Sequence, residues 1–361
     1  MSKLDNLGNV LIRSDLNVPI KNGEITDNFR ILKSVEILES ILDKSRTITF
    51  TSHMGRPNGK DLNLSLRPVA ESMSDFLGKE VRFIEEVFGE KVEEQIEKSE
   101  SKIFLLENLR FEKGEIENDK EVSNQITKPF NSYIFDAFGA AHREHASVVS
   151  FGENLESFQG PLMDKELHEL DRLLNNSESG YAVLLGGAKI SDKLNLIEKL
   201  LPKVEYLMVG GGMCFTLLKA LGHEIGRSLL EESFISKAEE LLNSRFGKKI
   251  ILPIDFGVTD SIDSSVRENV KLEDFKNNHI GVDIGPQTVS NFRKILKKSN
   301  NIFWNGPMGI FEKEAFSYGT KEITEIISNS SAYTCIGGGD SVSAINKFSD
   351  KKNFNHISTG G

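Results

Sequence analysis

Short apolar runs rich in β-branched and aromatic residues alternate along the chain with longer amphipathic stretches. The apolar runs predict strands at residues 10–12, 47–50, 103–106, 133–135, 183–185, 206–209, 250–252, 302–304 and 333–336. Strands that alternate with helices favour parallel sheets with helices on both faces. The pattern therefore predicts an α/β protein.

The stretch at residues 28–43 predicts the clearest helix, because its apolar side chains recur at helical spacing. These side chains are Ile31, Val35, Leu38 and Leu42. Asp27 precedes the stretch and is a favourable N-cap. Further helices are predicted to begin near Pro68, Ser191, Glu231 and Thr288.

The chain has 361 residues, which exceeds the usual size of one domain, so two domains are expected. A helix predicted at residues 162–174 and a polar loop at residues 175–180 separate two halves of different chemistry. We therefore place one domain at residues 1–161, a connecting helix or hinge at 162–174, and a second domain at 175–361.

Composition and charge restrict the class of protein. The chain is 38% hydrophobic and 27% charged, with a net charge of −10, which argues against a general nucleic-acid binder. No apolar stretch approaches the length needed to span a membrane, and the N-terminus lacks a secretory apolar segment. Two distant cysteines form no disulfide framework, which favours a reducing cytoplasm.

In open α/β sheets, ligands bind beyond the carboxyl ends of the strands. In the second half these positions carry glycine-rich turns at residues 186–193, 210–213, 305–312 and 337–341. Backbone N–H groups at such turns favour phosphate, and Lys189, Lys193 and Asp340 suit phosphates and a Mg²⁺ ion. Each turn alone is also explained by close packing or by a solvated helix start. The four together indicate a nucleotide site.

In the first half, four arginines follow predicted strands or open the first helix, and we expect them to converge at one end of a sheet. They are Arg30, Arg56, Arg110 and Arg143. Guanidinium groups bind carboxylate and phosphate bidentately, so the set predicts a small substrate with several negative charges. Any one of these arginines alone fits a surface ion pair equally well. His53 and His142 are candidate hydrogen-bond partners, whereas His142 and His145 lack a third ligand for a metal.

Nine segments in order identify the chain as similar to phosphoglycerate kinases. They are RSDLNVP (13–19), SHMGRP (52–57), LLENLRF (105–111), DAFGAAHR (136–143), LGGAKISDK (185–193), VGGGM (209–213), WNGPMGIFE (304–312), GGGDS (337–341) and HISTGG (356–361). The resemblance implies two Rossmann-like domains in a bilobal, hinge-bending monomer. It also implies reversible, Mg²⁺-dependent phosphoryl transfer between ATP and 3-phosphoglycerate, giving ADP and 1,3-bisphosphoglycerate in glycolysis.

The resemblance assigns roles by matching position. Phosphoglycerate in the N-terminal domain would contact Asp15, Leu16, Asn17, Arg30, His53, Met54, Gly55, Arg56, Arg110 and Arg143. Nucleotide in the C-terminal domain would contact Lys189, Lys193, Gly211, Gly212, Asn305, Glu312, Gly338, Gly339, Asp340 and Ser341. The catalytic set would be Arg30, Lys189, Gly338 and Gly339, with Glu312 on the ribose and Asp340 toward the metal.

The chain also departs from the family pattern. Leu16 stands where the family usually has Phe, and Ala140 where it usually has Thr or Ser. The family normally continues beyond residue 361, so we expect a missing C-terminal segment, and an impaired form that still binds both ligands is an alternative. A nicotinamide-dependent dehydrogenase is a further alternative, although no strand-linked GxGxxG fingerprint occurs.

Overall fold

The computed structural model describes residues 6–21, 23–175 and 180–360. Residues 176–179 of the loop predicted after the mid-chain helix, and Gly361 of the last motif, lie outside the described residues. The chain divides into two compact units, Met1–His168 (unit 1) and Glu169–Gly361 (unit 2). The division falls inside one helix, Pro161–Asn175, which contains the predicted helix at 162–174.

The strands of unit 1 are β1 (Gly8–Ser14), β2 (Ile20–Lys21), β3 (Glu24–Ile25), β4 (Ser45–Thr51), β5 (Val81–Ile84), β6 (Ile103–Leu106), β7 (Ser132–Asp136) and β8 (Glu156–Gln159). The helices that begin in it are α1 (Phe29–Val35), α2 (Leu38–Ile41), α3 (Arg67–Leu77), α4 (Glu90–Lys98), α5 (Lys113–Ile116), α6 (Lys120–Thr127), α7 (Phe151–Asn154) and α8 (Pro161–Asn175).

In unit 1 six of the described strands form a parallel sheet in the order β5-β6-β4-β1-β7-β8, and β2 and β3 form a separate antiparallel pair. Alternate side chains of β1 enter two different cores. Val10 and Ile12 pack into one core with α1 and α3, and Leu11 packs into the other with β6 and α4. Both faces of the sheet are therefore covered, which is what the near-continuous apolar strands require.

The strands of unit 2 are β9 (Tyr181–Leu185), β10 (Tyr206–Val209), β11 (Ile250–Ile251), β12 (Asp255–Thr259), β13 (Glu268–Lys271), β14 (Ile280–Ile284), β15 (Asn301–Asn305), β16 (Tyr333–Gly337) and β17 (His356–Ile357). The remaining helices are α9 (Leu194–Leu200), α10 (Cys214–Ala220), α11 (Ile235–Asn243), α12 (Pro286–Leu296), α13 (Tyr318–Ser328) and α14 (Gly339–Phe348).

Unit 2 has a second parallel sheet, whose described strands run β11-β10-β9-β15-β16-β17. Val183 and Leu185 of β9 face one apolar core, while Ala182 and Leu184 face the other. The predicted α/β class, with helices on both faces of parallel sheets, is confirmed. The structure adds an antiparallel sheet, β13-β12-β14, that the strand–helix alternation did not predict.

The helix predicted over residues 28–43 is interrupted. It forms α1 and α2, separated at Glu36 and Ile37. At the break, Ser40 N–H and Ser40 Oγ both donate to Ile37 O, at 3.0 and 2.7 Å. The side-chain hydrogen bond and a backbone hydrogen bond between residues three apart replace the regular α-helical hydrogen bonds between residues four apart. Asp27 accepts from Phe29 N–H at 2.8 Å, but the predicted N-cap is wrong by one residue, because Asn28 occupies that position.

Candidate active site

The carboxyl ends of β1 and β4 bring Arg13 and His53 together in unit 1. Both side chains are buried, and Arg13 Nη2 donates to His53 Nδ1 at 2.9 Å. Because arginine has no acceptor, Nδ1 must be the acceptor, and the neutral ring carries its proton on Nε2. The contact thus turns His53 into a hydrogen-bond donor with a fixed tautomer.

Arg30 reaches the same strand end from α1. Its Nη1 donates to Asp15 Oδ1 at 3.2 Å and to Asn17 O at 2.9 Å. Asn17 Oδ1 accepts from Gly55 N–H at 3.0 Å, and Arg110 Nη1 donates to Gly55 O. Residues from four segments that are far apart in the sequence therefore form one hydrogen-bonded group.

Positive charge is concentrated around His53. Burial, followed by the charges of Arg13, Arg110, Arg143 and Arg30, lowers the pKa of His53 far below its ordinary value. The imidazole is therefore neutral at physiological pH, in spite of its polar surroundings.

Arg110 experiences the same field. Burial lowers the pKa of its guanidinium to about 10, with further lowering by Arg143, Arg13 and Arg56 and an opposing contribution from Glu115. A cation whose charged form is disfavoured by its neighbours gains most when an anion arrives. We call these six residues the basic cluster: Arg13, Arg30, His53, Arg56, Arg110 and Arg143.

Arg13 was not among the predicted site residues. It is only 1% exposed, and its Nε donates to Ser147 Oγ at 2.9 Å. Ser147 Oγ in turn donates to the buried carboxylate of Glu115 at 2.6 Å, so the charge of Arg13 is balanced through an intervening hydroxyl. Its position at the end of the first strand in RSDLNVP was the signal that could have identified it.

Two of the predicted substrate residues contribute no side chain to the site. Leu16 and Met54 are buried in the apolar core beside α1 and α3. Their backbone is also hydrogen-bonded within the unit, since Leu16 N–H donates to Ser52 Oγ at 2.9 Å and Met54 N–H donates to Asn108 Oδ1 at 3.1 Å. His142 is exposed, and His145 Nδ1 lies 3.6 Å from Glu115 Oε1.

In unit 2 the four glycine turns pack against one another. Gly187 N–H donates to Pro307 O at 2.9 Å, and Gly211 N–H donates to Met308 O at 3.0 Å. A Cβ at Gly211 would lie 2.6 Å from backbone atoms of Gly187, and its φ of +65° also favours glycine. The glycine at 211 is therefore required by packing between turns, whether or not a ligand binds.

Gly339 has no such reason to be glycine. A Cβ there would meet no atom of the described residues within 4 Å, and its φ is not positive. It opens α14, after Gly338 with a φ of +86° as the N-cap. The exposed backbone at this N-terminus suits a phosphate that approaches closely.

Lys193 lies near this turn. Its Nζ donates to Asn305 Oδ1, and burial lowers its pKa, while Asp192 and Asp340 oppose the shift. Lys189 is exposed. Both lysines precede α9 instead of opening it, because the Glu231 carboxylate accepts from Ser191 N–H and Oγ and holds a turn there.

A cavity of about 640 Å³ lies beside the turns. Its lining includes Gly212, Phe256, Pro307, Glu312 and Asp340. A mostly apolar wall with a few polar groups at its edge is typical of a site for a flat aromatic base. We call the four turns and this cavity the glycine-turn site.

The predicted nucleotide residues occupy this site in different ways. Gly211, Gly212, Glu312 and Asp340 line the cavity. Ser341 is fully buried, and its Oγ accepts from Gly306 N–H at 2.7 Å, which ties the start of α14 to the turn at 305–312.

The described residues contain no group of three or more His, Cys, Asp or Glu side chains that could hold a metal ion. Asp340 is a single exposed carboxylate in the first turn of α14. Mg²⁺ in phosphoryl-transfer sites is commonly held by one or two carboxylates together with substrate phosphates. The residues therefore fit a magnesium ion that arrives with a nucleotide.

None of the helices in the described part of the chain has the length and apolar character needed to span a lipid bilayer.

Comparisons with known proteins agree with this geometry. The sequence profile of the phosphoglycerate kinase family matches residues 4–361. The phosphoglycerate kinase of Rubrobacter xylanophilus is 41% identical over 354 residues, covering 98% of this chain and 90% of the relative. That of Thermus thermophilus is 42% identical over 360 residues, covering 98% of this chain and 92% of the relative.

Solved structures give the same result. The phosphoglycerate kinase of Coxiella burnetii matches with a TM-score of 0.84 and 35% identity, covering 100% of this chain and 93% of that one. The enzyme of Pyrococcus horikoshii matches with a TM-score of 0.87 and 30% identity, covering 99% and 92%. The chain belongs to the phosphoglycerate kinase family, and its reaction is the glycolytic transfer of a phosphoryl group between ATP and 3-phosphoglycerate.

Proposed function

We propose that the basic cluster binds 3-phosphoglycerate and that the glycine-turn site binds ATP or ADP. The observation that carries the first assignment is the charge around His53. Burial and four arginines keep this ring neutral, so the cluster is a strongly positive site with a neutral donor. The Nε atoms of Arg110 and Arg143 are buried without a hydrogen bond to any described residue, which leaves two donors for an anion.

In the proposed reaction the carboxylate of 3-phosphoglycerate attacks the γ-phosphorus of ATP. A bond forms between a carboxylate oxygen and that phosphorus, and the bond to the β–γ bridging oxygen breaks, releasing ADP. The carboxylate is already ionised at neutral pH, so no general base is required. Phosphoryl transfer depends mainly on alignment and on positive charge near the moving oxygens.

We assign this charge to Arg30, Lys189 and the backbone of Gly338 and Gly339. Arg30 stabilises the transferring group from the substrate side, while it is held by Asp15. Lys193 and Asn305 orient the nucleotide phosphates, and Glu312 accepts hydrogen bonds from the ribose hydroxyls. Asp340 would hold Mg²⁺, which neutralises charge on the phosphate oxygens when it is bound.

Each ligand belongs to a different unit in this proposal. Transfer therefore requires a movement that aligns the two bound ligands and expels water. We assign the hinge to residues 162–174 of α8, between a substrate domain at 1–161 and a nucleotide domain at 175–361. We further propose a monomer in the cytoplasm, in keeping with the family resemblance and with only two cysteines, and light scattering tests the monomer.

The test is phosphoryl transfer by the purified chain with Mg-ATP, measured alongside calorimetric titrations. Both ATP and 3-phosphoglycerate should bind, and NAD should not. Glycerate, which keeps the carboxylate but lacks the phosphate, should bind far more weakly than 3-phosphoglycerate, because it loses the contacts with several arginines. Equal binding of glycerate and 3-phosphoglycerate would show that the basic cluster does not bind the phosphate group.

A further inference from the structure

Helix α14 is attached at both ends to the loop that follows β15. At its start, Ser341 Oγ accepts from Gly306 N–H at 2.7 Å. Near its end, Lys347 Nζ donates to Phe311 O at 2.8 Å and to Glu312 O at 3.3 Å. Helix α14 therefore holds the loop at 306–312 at two points, in addition to the bonds that Pro307 and Met308 accept from the neighbouring turns.

The second attachment is reinforced by packing. Phe311 is 5% exposed, and its ring lies 6.5 Å from that of Phe348, the residue after Lys347. Lys347 is in the last turn of α14, where a cation is also favoured by the helix dipole. Both effects therefore favour the position in which the Lys347 ammonium group contacts the carbonyls of residues 311 and 312.

The same helix carries the phosphate turn at its other end. Residues 337–341 lead into α14, and Asp340 and Glu312 both line the cavity. A helix is stiff, so α14 couples the position of the phosphate turn to that of residues 311–312. The Glu312 side chain is exposed, and an exposed side chain loses less conformational entropy on binding when its backbone is already fixed.

We infer that Lys347 is a positioning residue for nucleotide binding, which fixes the backbone of residues 311–312 so that Glu312 meets the ribose hydroxyls. This inference rests on the proposed contact between Glu312 and the ribose. Lys347 touches neither the nucleotide nor the transferred group in this scheme. Its removal should weaken nucleotide binding through the ribose alone and leave the chemical step intact.

The experiment measures the dissociation constants of ADP and 2′,3′-dideoxy-ADP by calorimetry, together with kcat at saturating ATP. Lys347→Met should weaken ADP binding roughly three- to tenfold, leave dideoxy-ADP binding unchanged and change kcat little. Lys347→Arg keeps a donor at this place and should restore most of the ADP affinity. Adding Lys347→Met to Glu312→Gln should cause no further loss.

Lys352→Met is the matched control, because Lys352 is an exposed lysine paired with Asp350. It should bind both nucleotides as the wild type does. An equal loss of ADP and dideoxy-ADP affinity in Lys347→Met, or no loss at all, overturns the inference. If Glu312→Gln still distinguishes the two nucleotides as strongly as the wild type, the ribose contact is wrong and the inference falls with it. If Glu312→Gln weakens ADP binding while Lys347→Met binds ADP normally, the inference about Lys347 is wrong but the proposed ribose contact stands.

Discussion

The basic cluster of unit 1 consists of charged side chains, whereas the glycine-turn site of unit 2 consists mainly of backbone groups. In unit 1 the positive charge is carried by long side chains, several of them buried, such as Arg13 and Arg110. In unit 2 the turns at the strand ends consist largely of glycine, and the groups near the helix start of α14 are backbone N–H donors. Both lie at the carboxyl ends of parallel strands, where α/β proteins place their ligands.

Each site restrains its ligand-binding groups in a different way. Side chains must be held in place by other side chains, and the Arg30–Asp15 and Arg13–His53 contacts do this in unit 1. Backbone groups need no such partners, but the turns that carry them must approach closely, which makes Gly211 indispensable for packing. A substitution in the basic cluster should therefore change the charge of the site, and one in the glycine-turn site should change the packing of its turns.

The largest expected effect comes from removing a charge in unit 1. Arg30→Ala should lower kcat by about 10²–10³-fold, because its charge acts mainly on the transferring group. The dissociation constant of ADP should stay within about twofold of wild type, because Arg30 belongs to the other unit. Steady-state kinetics and calorimetry measure both quantities.

The control for Arg30→Ala is Arg82→Met, since Arg82 is an exposed arginine of unit 1 that bonds Ser99. It should leave both quantities at their wild-type values. A normal kcat in Arg30→Ala would remove this residue from the mechanism.

One buried group in each unit should give opposite pH dependences of stability, namely His53 in unit 1 and Asp283 in unit 2. The unfolded chain protonates His53 below its ordinary pKa of 6.5, whereas the folded unit keeps it neutral. The unfolded state then binds more protons, so the free energy of unfolding should fall by about 1.4 kcal/mol per pH unit below 6.5 from this group. In unit 2, burial raises the pKa of Asp283 from 3.8 to about 7, despite its 2.6 Å pair with Arg267.

For Asp283 the folded state binds more protons between pH 3.8 and about 7. Its contribution to stability is therefore fully present below pH 3.8 and is lost progressively as the pH rises to about 7. Denaturant unfolding from pH 5 to 7.5 measures the free energy of unfolding as a function of pH. His53→Asn should remove the loss of stability toward acidic pH, and Asp283→Asn should remove the loss of stability toward neutral pH. Parallel profiles for wild type and both variants would contradict this difference between His53 and Asp283.

A pair of glycine substitutions sharpens the contrast within unit 2. Gly211→Ala should lower the free energy of unfolding by about 2 kcal/mol, because its positive φ and the close backbone of Gly187 leave no room for a methyl group. Gly339→Ala should not lower stability but should reduce kcat roughly tenfold by blocking a close phosphate. Chemical denaturation and steady-state rates separate the two effects. A wild-type rate in Gly339→Ala would argue against a phosphate lying close to Gly339.

The smallest expected effect concerns the metal. Asp340→Asn keeps the size of the side chain but removes its charge, so the Mg²⁺ concentration for half-maximal rate should rise by up to about tenfold. Asp274→Asn, at an exposed carboxylate outside the site, is the control. An unchanged Mg²⁺ dependence in Asp340→Asn would remove this residue as a metal ligand.

Much of the fold could be predicted because the deciding pattern is local. Apolar runs at residues 183–185 and 302–304 lie in strands, since burial on both faces requires continuous apolar residues. The break between α1 and α2 could not be predicted from periodicity, because a single hydroxyl of Ser40 competes for a backbone carbonyl. The antiparallel sheet was missed because β13 is mostly exposed and lacks a strong apolar signal.

The order of residues along the chain establishes which residue types follow each strand, and with it the arginine chemistry of one unit and the glycine turns of the other. Only the tertiary structure decided that Arg13 would meet His53, 40 residues away, and lock its tautomer. It also decided that Gly211 serves packing while Gly339 stays open. The physical reason is that residue type and spacing are local properties, whereas contacts, burial and pKa shifts depend on which strands become neighbours in the sheet.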